Sequence, residues 1–267
     1  MLKTIKHYVT CRFGQMHLRI AGNHNRHSGK PPLVCFHMSP YSGLCYDNFA
    51  LEMAADRLVV CPDTPGYGGS DVLVGPATIE GYASAMVEML DTLELETVDL
   101  MGFHTGSFVA AALAHIAPDR VRKLVLPGIP YVPTADRASR LEMFSKIRPY
   151  FTEEGYIQKR WDMGHKARGS QPDDQFLALF AESLRPGADG MNRGFAAVFK
   201  FDPDAVLSQL NHPVLIPVPD EMLAESSRAA APLFQDATLQ EWPDLKGDLF
   251  DVDANTVADR ISEWLNT

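Results

Sequence analysis

Positive charge is scarce in this chain. Its 267 residues carry 24 Lys and Arg against 34 Asp and Glu, a formal charge of −10, and such a field repels phosphate backbones and anionic lipid surfaces. No nucleic-acid partner is expected. Long apolar runs are also missing: no stretch approaches the ~20 residues that a membrane-spanning helix needs. Met1 to Thr10 interleaves charges where a signal peptide has an apolar block. No membrane association and a cytoplasmic location are the resulting expectations. Cysteine is sparse, and Cys11, Cys35, Cys45 and Cys61 show no C-x-x-C spacing. They read as reduced, mostly buried thiols, with Cys45 the candidate for reactivity. Repeats and low-complexity tracts are absent, so organisation has to come from periodicity and turn chemistry.

What is present suits one large domain, or one domain carrying an insertion: hydrophobic residues make up 46% and charged residues 22%, enough to bury a core. Ile5 to Arg12 and Met16 to Ala21 read as paired strands across a short turn. Gly22 to Pro32 is dense in turn formers and predicts an exposed connection. Its His24 and His27 are spaced three apart but lack a Cys or carboxylate partner nearby, so they read as solvated and no metal site is expected. Short continuous apolar runs follow at Leu33 to Phe36, Leu58 to Cys61, Val98 to Met101, Leu124 to Leu126 and Val214 to Val218. Between them lie helical patterns at about Tyr46 to Ala55, Thr78 to Leu93, Gly106 to Ala117 and Ala224 to Phe234. Strands buried on both faces and joined by crossover helices make a mostly parallel sheet, so the fold class is α/β.

The alternation breaks once. From Tyr131 to Leu207 no strand is evident, and helix-like segments carry many large apolar residues, among them Trp161, Phe176, Phe180, Phe195 and Phe199. This block reads as an inserted helical cap, most of its aromatics being cap core and a few facing what lies beneath. The expected organisation is therefore 1–130 as the first part of an α/β core, 131–207 as the cap and 208–267 as the second part of the core. A last strand near Thr238 to Trp242 and a closing helix from Ala254 to Leu265 complete it.

Motifs fall in a fixed order along this frame. F-H-M-S-P-Y-S-G at Phe36 to Gly43 follows a strand, as does C-P-D-T-P-G-Y-G-G-S-D at Cys61 to Asp71; M-G-F-H-T-G-S-F at Met101 to Phe108 joins a strand to an Ala-rich helix. With the insertion, this series resembles the α/β-hydrolase superfamily over nearly the whole chain outside the cap. That resemblance implies a sharp strand-to-helix elbow framed by Gly102 and Gly106, which lifts one side chain beside backbone N–H groups able to stabilise negative charge. It implies an oxyanion hole from the N–H groups of Ser39 and Thr105, a supporting role for His37, and an acid after the strand that follows the cap, with Asp220 and Glu221 both candidates. No cofactor is implied. The glycines Gly66, Gly68 and Gly69 lack the context of a nucleotide loop, and Asp63 reads as a structural turn residue.

Departures from the family pattern sit at the chemistry. The nucleophile position holds His104, in Gly102-Phe103-His104-Thr105-Gly106, so no acyl-serine can form there. Asp248, in Leu245-Lys246-Gly247-Asp248-Leu249-Phe250, stands where the family's catalytic His is expected, and Met38 replaces the usual Gly after His37. The related exchange at the two ends leads to the expectation that His104 and Asp248 hydrogen-bond directly, making His104 a general base or, failing that, a nucleophile. His165 in the cap reads either as a pocket residue or as part of a solvated helix face. The expected partner is a small, carbonyl-containing molecule. Ester, lactone or C–C hydrolysis and proton abstraction in a lyase, isomerase or cofactor-free oxygenase all stay open, as does an inactive homologue that binds a small molecule as a receptor would. A homo-oligomer stays open too.

Overall fold

The structure is a computed structural model, which describes residues 4–22, 29–146, 153–168 and 173–267. His24 and His27 lie outside the described residues, as do three apolar residues of the inserted block, Ile147, Tyr150 and Phe151. Eight strands form one sheet: β1 (Ile5–Cys11), β2 (Gly14–Ala21), β3 (Leu33–Phe36), β4 (Val59–Pro62), β5 (Val98–Gly102), β6 (Val121–Val125), β7 (Val214–Asp220) and β8 (Ala237–Lys246). Their order is β1-β2-β4-β3-β5-β6-β7-β8. The pairs β1/β2 and β2/β4 are antiparallel and the rest parallel.

Every residue of β3, β4 and β5 is buried, as central strands covered on both faces must be. On one face pack α2 (Ile79–Thr92) and α3 (Thr105–Ile116); on the other pack α1 (Asp47–Met53) and α10 (Ala254–Leu265). Helix α2 buries Ile79, Tyr82, Ala83, Met86, Met89 and Leu90 at helical spacing, and the Thr78 hydroxyl caps its start by accepting from Gly81 N–H at 3.0 Å. The Ala-rich α3 is buried from Thr105 to Ala114, which small side chains permit against the sheet.

Strand β6 starts three residues before its apolar run, because Arg122 and Lys123 find partners at the sheet's end. Arg122 donates to both oxygens of buried Asp99, at 2.9 and 2.6 Å, and Lys123 Nζ donates to the Trp264 carbonyl at 3.1 Å. Strand β8 extends four residues beyond its expected end and carries Pro243, tolerated because β8 lies at the sheet edge.

The inserted block is helical: α4 (Thr134–Lys146), α5 (Tyr156–Arg168), α6 (Asp174–Leu184), α7 (Gly187–Lys200) and α8 (Pro203–Leu207) lie between β6 and β7, with no strand among the described residues there. These helices are tied to loops at the C-terminal ends of the strands. Tyr67 Oη donates to the Gly190 carbonyl and Arg193 to that of Leu73, at 2.9 and 2.8 Å, and Gln175 donates to that of Leu44 at 3.1 Å. Beneath them lies the point where the strand order reverses, between β3 and β5. In open α/β sheets the crevice outside the strand ends at such a point is where ligands bind.

Candidate active site

The loops leaving β3 and β5 meet at this point, where Phe103 N–H donates to the Phe36 carbonyl at 3.0 Å. The chain then turns sharply into α3. His104 takes φ 51° and ψ −116°, a left-handed conformation that side chains seldom adopt. The two framing glycines are sterically required: a Cβ on Gly102 falls 2.2 Å from the Gly106 carbonyl oxygen, and one on Gly106 falls 1.9 Å from that of Phe36. The turn thus lifts the His104 ring off the end of the sheet, against Phe103 at 4.1 Å between ring centroids.

His104 does not bond to Asp248. Its Nε2–H donates to Glu221 Oε2 at 3.1 Å, and the Glu221 side chain is 4% exposed against 17% for His104. The ring swings toward the turn after β7, where Gly128 leaves room. A Cβ there falls 2.5 Å from His104 Cδ2 and 3.1 Å from Glu221 Oε1, and the φ of +65° at position 128 itself suits glycine. Between the two acid candidates the strand end decides: Asp220, the last residue of β7, is exposed, and Glu221, the next residue, turns inward, while the accompanying register shift places its extra residues, Pro243 to Leu245, in β8. Glu221 Oε1 is buried without a hydrogen bond, and His104 Nδ1 makes none among the described residues.

Asp248 faces a different partner. Its Oδ2 lies 3.1 Å from Nη1 of Arg168 at the end of α5. Burial and the nearby Asp251 charge push its carboxyl up to about 6, against the pull of Arg168. A carboxylate this short, beside a guanidinium, has its strongest attraction there, and His104 already has Glu221.

His37 is fully engaged: its Nδ1–H donates to the Met38 carbonyl and its Nε2 accepts from Thr64 N–H, both at 2.9 Å. Burial holds it below the usual imidazole range, although the Asp63 charge opposes this. It braces the loop and has no nitrogen left for chemistry. Ser39 N–H, one of the two expected oxyanion donors, makes a long contact of 3.4 Å to the Thr105 side-chain Oγ1, which an incoming oxyanion would have to displace. Met38 sends its side chain into a cavity beside the elbow.

Asp63 fills the glycine-rich loop that follows β4. It accepts from Gly43 and Gly69 N–H at 2.8 and 2.7 Å and bonds His17 Nδ1 at 2.8 Å. Burial works against its charge, yet the His17 bond and the His37 charge hold it below the usual carboxylate range. The loop therefore cradles an internal anion. Cys45 lines the same cavity as Met38, but burial pushes its thiol well above the usual range, which removes its reactivity. His165 sits on α5 with its ring 6.5 Å from that of Phe176.

A family model described as alpha/beta hydrolase fold matches residues 31–159. A hydrolase structure from Pseudomonas aeruginosa superposes with a TM-score of 0.80 at 19% identity, covering 98% of each chain. The chain has the α/β-hydrolase fold. Among curated relatives, a 3-hydroxybutyrate-oligomer hydrolase of Cupriavidus necator is 31% identical over 61% of this chain. A 2-hydroxymuconate semialdehyde hydrolase of a Pseudomonas species is likewise 31% identical, over 63%. The matches span 57% and 58% of those two enzymes' lengths. No helix among the described residues is long and apolar enough to cross a membrane.

Within this fold the elbow position holds an imidazole, so serine-directed probes such as organophosphates and sulfonyl fluorides are expected to leave the protein unmodified. Intact-mass measurement checks this. Stoichiometric labelling of Ser39 or Ser107 would place the nucleophile elsewhere, although Ser107 is buried and its hydroxyl donates to the His104 carbonyl at 2.6 Å.

Proposed function

We propose that this chain is an enzyme of the α/β-hydrolase type, in which His104 is the general base for hydrolysis of a small carbonyl compound, an ester, lactone or activated C–C bond. Residues 131–207 serve as the cap over a core formed by 1–130 and 208–267. The observation that carries the reading is the His104–Glu221 hydrogen bond of 3.1 Å on a strained elbow. Glu221 accepts only, so it fixes the proton on Nε2 and leaves the Nδ1 lone pair as the base. Nδ1 takes a proton from water as the water oxygen adds to the substrate carbonyl. The negative charge that develops on the carbonyl oxygen is met by the N–H groups of Ser39 and Thr105 at the positive end of α3. Collapse of the tetrahedral species breaks the bond to the leaving group, which receives the proton from the imidazolium, and both residues return to their starting state. The relatives named above support hydrolysis as the reaction.

The missing elbow nucleophile favours a second reading, in which the same Nδ1 removes a proton from a carbon next to the carbonyl. Both readings use one base, and the products tell them apart. A screen of small esters, lactones and 1,3-diketones in deuterated water reads cleavage and carbon-bound deuterium together. With any substrate so found, Glu221→Gln is expected to lower kcat about tenfold with KM nearly unchanged, since the amide oxygen still accepts from Nε2–H but the charge facing the imidazolium formed in the transition state is lost. An unchanged kcat would remove Glu221 from the mechanism.

A further inference from the structure

Beside the elbow, between α5, α6 and the turn after β8, lies a cavity of about 90 Å³. It is larger than one water and smaller than the ~150 Å³ cavity that admits benzene. Its walls are largely apolar: Phe103, Phe176, Leu179, Phe180 and Phe250 all line it. One end is charged, where Arg168 and Asp248 reach the surface of the cavity.

Arg168 invites the view that this end receives a carboxylate, and its surroundings argue against it. The guanidinium lies 3.1 Å from Asp248, 2.5 Å from Asp251 and 2.7 Å from Asp173, and it stacks over the Phe176 ring at 5.8 Å. Asp173 is largely exposed and screened by water, but Asp248 and Asp251 face the guanidinium from inside, and among the described contacts these two carboxylates against one guanidinium leave a negative balance. A further carboxylate would meet repulsion from Asp248 and Asp251, which water screens only in part because their side chains are 22% and 5% exposed. Asp248, in contrast, uses only Oδ2 on Arg168 among the described residues, and its other oxygen has no partner there. The Tyr41 hydroxyl and the Cys45 thiol, which also line the wall, are uncharged; Arg160 acts on Tyr41, and Arg168 is the cation that acts on Asp248 itself.

We propose that this end of the cavity selects substrates bringing an uncharged hydrogen-bond donor, a hydroxyl or an amide N–H, to Asp248, and rejects substrates bringing a carboxylate. The substrate class is thus an uncharged carbonyl compound with a donor on a short apolar arm. As a statement about substrate, this rests on the elbow being the reaction centre, since the cavity wall Phe103 is the ring packed against His104.

The test reads binding alone, with probes sized to the cavity: isobutanol, isobutyramide and isobutyrate, titrated against the protein carrying ¹³C-methyl methionine. Met38 lines the cavity and reports occupancy. The two uncharged probes are expected to shift the Met38 methyl signal with a Kd at least ~10-fold below that of isobutyrate, because a like charge brought beside the partly buried Asp248 carboxylate is repelled and finds no free cation. In Asp248→Asn the difference is expected to shrink to within about threefold, the amide being close to isosteric and uncharged. Isobutyrate binding as tightly as the uncharged probes, no binding of any probe, or a preference unaltered in Asp248→Asn would each overturn the proposal. His104→Ala leaves this preference in place, so an inactive elbow and a wrongly assigned cavity give different results.

Discussion

His104→Ala is expected to lower turnover by ~10²-fold or more while ligand affinity stays within a few-fold, because a positioned base acts mainly in the transition state. The geometry makes this the most consequential single side chain in the molecule. It is held in a left-handed conformation at φ 51°, it touches a buried carboxylate at 3.1 Å, and a glycine at position 128 keeps the space it occupies clear. Strain of this kind persists only where the surrounding fold imposes it, and such sites concentrate where chemistry is done. Alanine removes both the base and the partner of Glu221, whose buried carboxylate then loses the one hydrogen bond it makes among the described residues. Stability measured beside kinetics separates the two effects, since a purely structural role would move the Tm and leave the specific activity of the folded fraction intact. A receptor gives the opposite pattern: no turnover to lose, and weaker binding wherever the change touches ligand. Full turnover in the variant would mean that the elbow is not the reaction centre.

Much of the frame was legible because it is written in local patterns. The central strands are unbroken apolar runs, and the run Leu33 to Phe36 coincides with β3, while the helix expected at about Ala254 to Leu265 is found there. The elbow was legible for a different reason. Two glycines four apart between a strand and an Ala-rich helix have a steric cause, which the close approaches at Gly102 and Gly106 make plain. What failed was the pairing across the site. Asp248 and Glu221 are both plausible partners for an imidazole by type, and the decision lies in contacts distant in sequence. Arg168 in the inserted helices claims Asp248, and the end of β7 leaves Asp220 exposed and turns Glu221 inward to His104. Gly128 escaped notice altogether. Its only signal was a glycine after β6 in Leu126-Pro127-Gly128-Ile129, and nothing nearby says that a ring from position 104 will lie over it.

Asp248→Asn is expected to change the pH dependence of stability by up to ~3 kcal/mol, the size of a carboxyl whose pKa is moved from 3.8 to about 6. The folded protein holds this proton more tightly than the unfolded chain does, so the group's contribution is fully present below pH 4. It declines as pH rises and is lost once pH passes 6, where folding forces an ionised Asp248 into a site that disfavours it. The cause is burial first and the Asp251 charge next, with Asp173 and Asp253 adding to it and Arg168 opposing. Tyr41 and Cys45 also face it, both kept protonated by burial across this range, so they add no titration of their own. Asparagine cannot ionise, and Arg168 keeps Asp251 and Asp173 as partners in the variant. Relative to the native protein, Asp248→Asn is therefore expected to gain stability steadily from pH 4.5 to 6.5 and then level off. Urea denaturation at intervals of one pH unit reads the difference directly. A gap between the two proteins that stays constant with pH would show that folding does not raise the Asp248 carboxyl and that Arg168 fully compensates its burial.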